Sequence, residues 1–163
     1  MEKLKPRDEV LEPDVRCSNR GNFEHSTGSI TEFTLDTIYQ EIEPIRLNAS
    51  VPESVRNHFE TARNLVVYSW FVYSFNVVAA MHAFASLEMA VKEKTGDKKS
   101  SLKNQLDKVF KGRQFAGGLG PPIDVSKAIS YLRNDLAHGS TTLHGQGLAS
   151  IRTCADLINE LFP

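Results

Sequence analysis

The chain has 163 residues and nearly balanced charge, with 19 Lys and Arg against 20 Asp and Glu. Apolar residues make up 40% of it and charged residues 24%, which is ordinary for a globular protein. These values exclude a collagen-like, disulfide-stapled or wholly disordered chain, and the length suits one domain with an extension.

The first 51 residues differ from the rest in charge, holding 6 Lys and Arg against 10 Asp and Glu. The polar, Gly- and Ser-containing segment 17–29 predicts a loop or disorder. Within 30–47, one apolar set has the period of a strand and another the period of a helix, and both remain open. The strand-like set is Phe33, Leu35 and Tyr39, and the helical set is Leu35, Ile38, Ile42 and Ile45. We expect residues 1–51 to form an irregular arm that packs on the main body or on a second copy.

Residues 52–163 predict an all-α domain, a four- to five-helix up-and-down bundle with no strand after residue 50. The first predicted helix begins near residue 52, and the second runs from about 71 to 94 or continues from the first with a bend. The third begins at 100 or 101, the fourth runs from 124 to about 138, and the fifth runs from about 145 to 161. Gly96 and Gly139 are the predicted stops of the second and fourth helices. The glycine-rich segment 112–120 lacks the Gly-Lys-Ser/Thr ending of a phosphate-binding loop and predicts an inter-helix loop.

The apolar stretch 65–91 is long enough to cross a bilayer. However, Asn76, His82 and Glu88 lie about 120° apart around a helix and could not share one sheltered face. We therefore expect a central core helix and no membrane span.

The two cysteines, Cys17 and Cys154, have no second Cys or His at zinc-finger spacing. We expect reduced thiols, no metal, no cofactor and a cytoplasmic location, because the charged start of the chain has no secretory signal pattern.

The predicted fourth helix carries its polar groups on one side. At about 100° per residue, Val125, Ile129, Leu132 and Leu136 form the buried face. The opposite side carries Lys127, Tyr131, Asn134 and His138, and Arg133 lies at the border. We therefore expect His138 to face solvent, a ligand or another subunit.

Residues 133–138 read Arg-Asn-Asp-Leu-Ala-His and resemble the Arg-Asn-x-x-x-His motif of the HEPN superfamily. The motif lies late in the helical region and just before the last helix, as it does in that family. The apolar segment 83–90 is similar to the long second helix of such domains. The resemblance covers about residues 52–162.

This resemblance implies a helical bundle that forms a two-fold homodimer, in which the motifs of two subunits meet at the interface. Many HEPN domains are metal-independent endoribonucleases of toxin–antitoxin and other defence systems, and others bind RNA or nucleotides without cutting. The implied catalytic residues are Arg133, Asn134 and His138. RNA is the implied substrate, and an antitoxin protein is a candidate partner.

The residue types of the motif suit RNA cleavage without a metal. The reaction removes a proton from the 2′-hydroxyl, which attacks the phosphate, and returns a proton to the leaving 5′-oxygen. An imidazole, with an ordinary pKa of about 6.5, can perform either step. A guanidinium such as that of Arg133 can hold the developing phosphate charge bidentately. Arg133 and His138 are about 140° apart on one helix, which favours a site built from two subunits.

Further substrate contacts are predicted around this motif. Residues 92–113 hold 8 Lys and Arg against 3 acids, so they form either an RNA-binding surface or a solvated helix face. The candidate substrate-binding residues are Lys103, Lys111, Arg113, Lys127, Tyr131 and His144. Glu88 is either a core polar group or the residue that orients Arg133.

Two other functions are compatible with the sequence. One is a non-catalytic helical module that binds RNA, a nucleotide or a partner protein. The other is a structural dimerisation domain in which the motif is incidental.

Overall fold

A computed structural model describes residues 3–24, 28–115, 121–138 and 147–163. Helices dominate these segments, which confirms the predicted all-α class. The helices are α1 (Val15–Ser18), α2 (Leu35–Ile42), α3 (Glu53–Tyr68), α4 (Phe75–Thr95), α5 (Leu102–Val109), α6 (Val125–Ala137) and α7 (Gly147–Leu161), after a 3-10 turn at Arg7–Glu9. The strands are β1 (Gly21–Glu24), β2 (Ser29–Glu32), β3 (Gln114–Phe115) and β4 (Ile123–Asp124).

Helix α4 is the centre of the molecule, because α3, α5, α6 and α7 all pack against it. Its small residues Ala79, Ala80, Ala83 and Ala90 are completely buried and let the neighbouring helices approach closely. Gly96 ends the helix with a left-handed backbone (φ 66°), as predicted.

The predicted start of α4 near residue 71, and the alternative of a continuous bent helix, are both wrong. Helix α3 ends at Tyr68, where the hydroxyl of Ser69 turns back and donates to the carbonyl of Val66 at 2.6 Å. A turn follows, and α4 begins at Phe75. Apolar side chains continue through this turn, so hydropathy gave no sign of the break. In the part of the chain that the structure describes, no helix is long and apolar enough to cross a membrane.

The arm is more regular than the sequence predicts. Strands β1 and β2 pair antiparallel, with Phe23 opposite Ile30, so the predicted loop over 17–29 is wrong at both ends of that segment, while residues 25–27 lie outside the described ones. Phe23 and all four side chains of β2 are exposed, so burial leaves no hydrophobic alternation to detect in β2.

The open choice for 30–47 is resolved as a helix over Leu35–Ile42, preceded by the end of strand β2 at residues 30–32. Thr34 caps this helix. Its hydroxyl accepts from the backbone N–H of Thr37, and the hydroxyl of Thr37 accepts from the backbone N–H of Thr34. Ile38 and Ile42 are buried in the same core cluster as α3, α4 and α7, so the arm packs on the main body.

Two-residue strands β3 and β4 pair antiparallel, with Phe115 opposite Ile123, so the prediction of no strand after residue 50 is wrong. Segments this short carry no readable periodicity. The glycine-rich residues 116–120 between them lie outside the described residues. Asp124 then caps α6, as predicted, by accepting from the backbone N–H of Lys127 at 2.9 Å. Gly139 and Gly145, at the predicted end of α6 and start of α7, also lie outside the described residues.

Asp14 fastens the arm to the turn between α3 and α4. Its backbone N–H donates to the carbonyl of Trp70 at 2.8 Å, and its carboxylate accepts from the backbone N–H of Tyr73 at 3.2 Å. The guanidinium of Arg16 donates to the same carboxylate at 2.7 and 2.8 Å and holds the pKa of Asp14 well below its usual range. The carboxylate is thus ionised, almost buried and satisfied by neighbours from two segments.

Replacing Asp14 with alanine should destabilise the protein. Asp14→Ala removes the acceptor of the Tyr73 N–H and leaves Arg16 without its carboxylate, so the free energy of unfolding should fall by about 2–4 kcal/mol. Urea denaturation measures this value. Asp8→Ala is the matched control, because Asp8 is exposed on the same arm. Equal stabilities of the two variants would contradict the role of Asp14.

A histidine pair joins α3 to α4. The rings of His58 and His82 stack with centroids 5.0 Å apart. The hydroxyl of Ser86 donates to the carbonyl of His82, so Nδ1 of His58 is the donor in its 2.8 Å hydrogen bond to Ser86. Burial, and then the neighbouring His82, lower the pKa of His58. The folded protein therefore resists protonation of this ring.

This pair should make stability depend on pH in the weakly acidic range. Above the ordinary histidine pKa of about 6.5 the contribution of His58 is complete. As the pH falls below that value the unfolded chain binds the proton first, so the free energy of unfolding decreases. Urea denaturation at pH 7.5 and 5.5 should show a larger loss for the wild type than for His58→Gln. An equal loss in the two proteins would contradict this role.

Candidate active site

The face of α6 that carries the motif is open to solvent. Lys127, Tyr131, Asn134 and His138 are all exposed, Tyr131 by 70%. On the other side, Val125, Ile129 and Leu136 are almost completely buried, and Leu132 is half-buried. The division of the helix predicted from residue spacing is therefore confirmed.

His138 is the residue directly after the last helical residue of α6. Its backbone N–H donates to the carbonyls of Asn134 and Asp135 at 3.0 and 3.2 Å, which fixes its main chain at the helix end. Its imidazole is exposed and makes no hydrogen bond within the described ranges. The ring is therefore free to meet a ligand, and Asn134 lies one turn before it on the same side.

Arg133 points toward α4 instead. Its Nη2 lies 3.4 Å from Oε2 of Glu88, and Oε1 of the same carboxylate lies 2.7 Å from Nζ of Lys92. The structure thus brings Glu88 to Arg133, the alternative that the sequence left open. Lys92 was missed, although a Glu followed four residues later by a Lys is a recognisable helical ion pair.

Glu88 and Arg133 both line a cleft between α4 and α6. The cleft has a volume of about 160 Å³, and its walls include Met81 and Ala85 from α4 and Ala137 from α6. Leu136 of α6 lines the same cleft. The cleft therefore reaches Ala137, the residue directly before His138.

One helix does not bring the two charged groups of the motif together. Arg133 is held on the α4 side, whereas His138 follows five residues later, about 7.5 Å along the axis and about 140° around it. Asn134 shares the side of His138. Within one protomer, the guanidinium of Arg133 and the imidazole of His138 therefore point in different directions.

Half of the eight cations in the basic segment 92–113, Lys92 among them, are paired with acids. Lys103 lies 2.7 Å from Asp107, Arg113 lies 3.1 Å from Glu160, and Lys108 pairs with Asp97. Hydrogen bonds from Lys108 and Ser100 hold the pKa of Asp97 well below its usual range. Lys111 and Lys127 are exposed. The pairing favours a solvated face over a strong RNA-binding surface, because each acid offsets a cation that a phosphate would need.

The predicted substrate-binding residue His144 lies outside the described residues. Within the described ranges no three His, Cys, Asp or Glu side chains are grouped as a metal ion would require.

The chain matches no known family model, no curated protein and no solved structure in comparisons with each.

Proposed function

We propose that the chain is a metal-independent endoribonuclease of the HEPN type that acts as a homodimer. The observation that carries the proposal is the exposed imidazole of His138 directly after α6, with the exposed Asn134 one turn earlier and Arg133 five residues earlier. An RNA-cleaving toxin or other defence protein is the corresponding role, with an antitoxin as its protein partner.

The motif supplies each group that transesterification needs. One imidazole removes the proton from the 2′-hydroxyl and a second returns one to the 5′-oxygen, so that the 2′-oxygen bonds to phosphorus and the 5′-oxygen leaves. Arg133 stabilises the charge that develops on the phosphate oxygens. Asn134 orients the imidazole or the phosphate. The products are a 2′,3′-cyclic phosphate and a 5′-hydroxyl.

The opposed directions of Arg133 and His138 support the two-subunit form of this site. Arg133 contacts α4 of its own protomer, whereas His138 is open to solvent. A second copy that approaches the His138 end of α6 places an imidazole from each protomer near one phosphate. A single protomer has one motif histidine, and the reaction uses an acid and a base.

Purified protein should cut RNA in the presence of EDTA and leave the two termini named above. His138→Ala and Arg133→Ala should each lower the rate at least about 100-fold, because a general acid–base or a phosphate-stabilising group is lost. Gel analysis of end-labelled transfer and messenger RNA measures the rate and the termini.

Arg152→Ala is the matched control, because Arg152 is an exposed arginine on α7. It should cut at the wild-type rate. The proposal fails if the wild type leaves every RNA intact, or if His138→Ala cuts as fast as the wild type.

A second candidate is a non-catalytic module that binds a partner protein. It is favoured by Val78 and Met81, apolar residues of α4 that are 36% and 42% exposed, and by the paired acids that weaken the basic segment. Binding to RNA or protein without cleavage, unaffected by His138→Ala, would favour this candidate.

A further inference from the structure

Three charged side chains, two on α4 and one on α6, meet beside the cleft. Lys92 and Glu88 lie one turn apart on α4, with Nζ 2.7 Å from Oε1 of the carboxylate. Oε2 of the same carboxylate faces Nη2 of Arg133 at 3.4 Å. Each carboxylate oxygen therefore has its own cation, one from the same helix and one from the neighbouring helix.

Lys92 holds the carboxylate of Glu88 from within α4. The Glu–Lys spacing of four residues is favourable on a helix, and the distance is that of a strong charge-assisted hydrogen bond. The Glu88 side chain is only 21% exposed, so water screens the pair less than it would on an open surface. The carboxylate thus has a partner on its own helix in addition to Arg133.

This carboxylate orients Arg133 but leaves most of its hydrogen-bond donors unused. A distance of 3.4 Å is longer than the 2.7–2.9 Å of a strong charge-assisted hydrogen bond, and one N–H of the five in the guanidinium is directed at Glu88. The side chain is 44% exposed, which leaves the other donors accessible. Two cations share one carboxylate, so a net positive charge remains for an anion.

We infer that Glu88 is a positioning residue that aims the guanidinium of Arg133 at the scissile phosphate, with Lys92 anchoring its carboxylate. This inference rests on the proposed function, because it assigns Arg133 to the phosphate. Glu88 itself touches no reacting atom: it restricts the rotation of a long side chain that would otherwise sample many directions.

The competing role is a structural one, in which the same contact merely ties α4 to α6. The two roles differ in what the loss of Glu88 changes. A structural tie affects stability and leaves the kinetic constants of the folded fraction intact. A positioning residue changes kcat at unchanged fold, because the guanidinium is misdirected in the transition state.

Steady-state kinetics of Glu88→Gln on an RNA substrate separate these roles. We expect kcat to fall about 10- to 100-fold, since small misplacements of a catalytic group cost up to about 100-fold. KM should stay level or decrease, because a negative charge is removed beside an RNA-binding group. Glu88→Asp, which keeps the charge on a shorter side chain, should recover part of kcat.

Glu93→Gln is the matched control, with the same loss of charge at an exposed position of the same helix. It should keep the wild-type kcat. If Glu88→Gln folds poorly, Lys92→Met tests the anchor in its place and should lower kcat several-fold. A wild-type kcat in Glu88→Gln, or in Lys92→Met where that variant replaces it, overturns the inference.

A measurement without activity distinguishes this inference from the proposed function. In nitrogen-15-labelled protein, the side-chain Nε–H resonance of Arg133, assigned by its loss in Arg133→Ala, should shift in Glu88→Gln and remain in place in Glu93→Gln. An unchanged resonance in Glu88→Gln overturns the contact on which the inference rests. If the resonance shifts in Glu88→Gln but the wild type cuts no RNA, the contact stands and the proposed function is overturned instead.

Discussion

Close packing around α4 is the constraint on which the rest of the structure depends. Its buried alanines let neighbouring helices pack at short range. Two of its polar side chains form hydrogen bonds or ion pairs with side chains of those helices. Ser86 meets His58 of α3, and Glu88 meets Arg133 of α6. The backbone of Asn76 comes so close to Gly147 that a Cβ there would lie 2.7 Å from its carbonyl oxygen. One helix thus fixes the relative positions of α3, α6 and α7.

The candidate site follows from this packing. Helix α6 packs on α4, and the partly exposed Met81 of α4 lines the same cleft as Ala137 at the end of α6. The motif residues are then divided by the helix geometry itself: Arg133 turns inward to a carboxylate, while Asn134 and His138 turn outward. A rigid scaffold holds the cation, and the titratable ring is left accessible for chemistry or recognition.

The sequence was informative where burial is one-sided and long. The start of α6 at Asp124 and the two sides of α6 could be predicted, the first from the residue type and the second because a period of 3.6 persists over several turns. The break between Tyr68 and Phe75 could not, since apolar side chains continue through it and one of its hydrogen bonds runs from the backbone N–H of Tyr73 to the distant carboxylate of Asp14. The hairpin of β1 and β2 was missed because Phe23 and all four side chains of β2 are exposed, so no buried face marks the strands. In the site, residue spacing gave the exposure of His138, but only the fold could pair Glu88 with Arg133.

The central claim is that two copies of His138 act on one phosphate, and mixed dimers test it most directly. Wild-type and His138→Ala chains are co-expressed in several ratios, and the specific ribonuclease activity is plotted against the wild-type fraction. A composite site that needs both imidazoles predicts activity that follows the square of that fraction. A linear dependence would contradict the claim, because each subunit would then cut on its own.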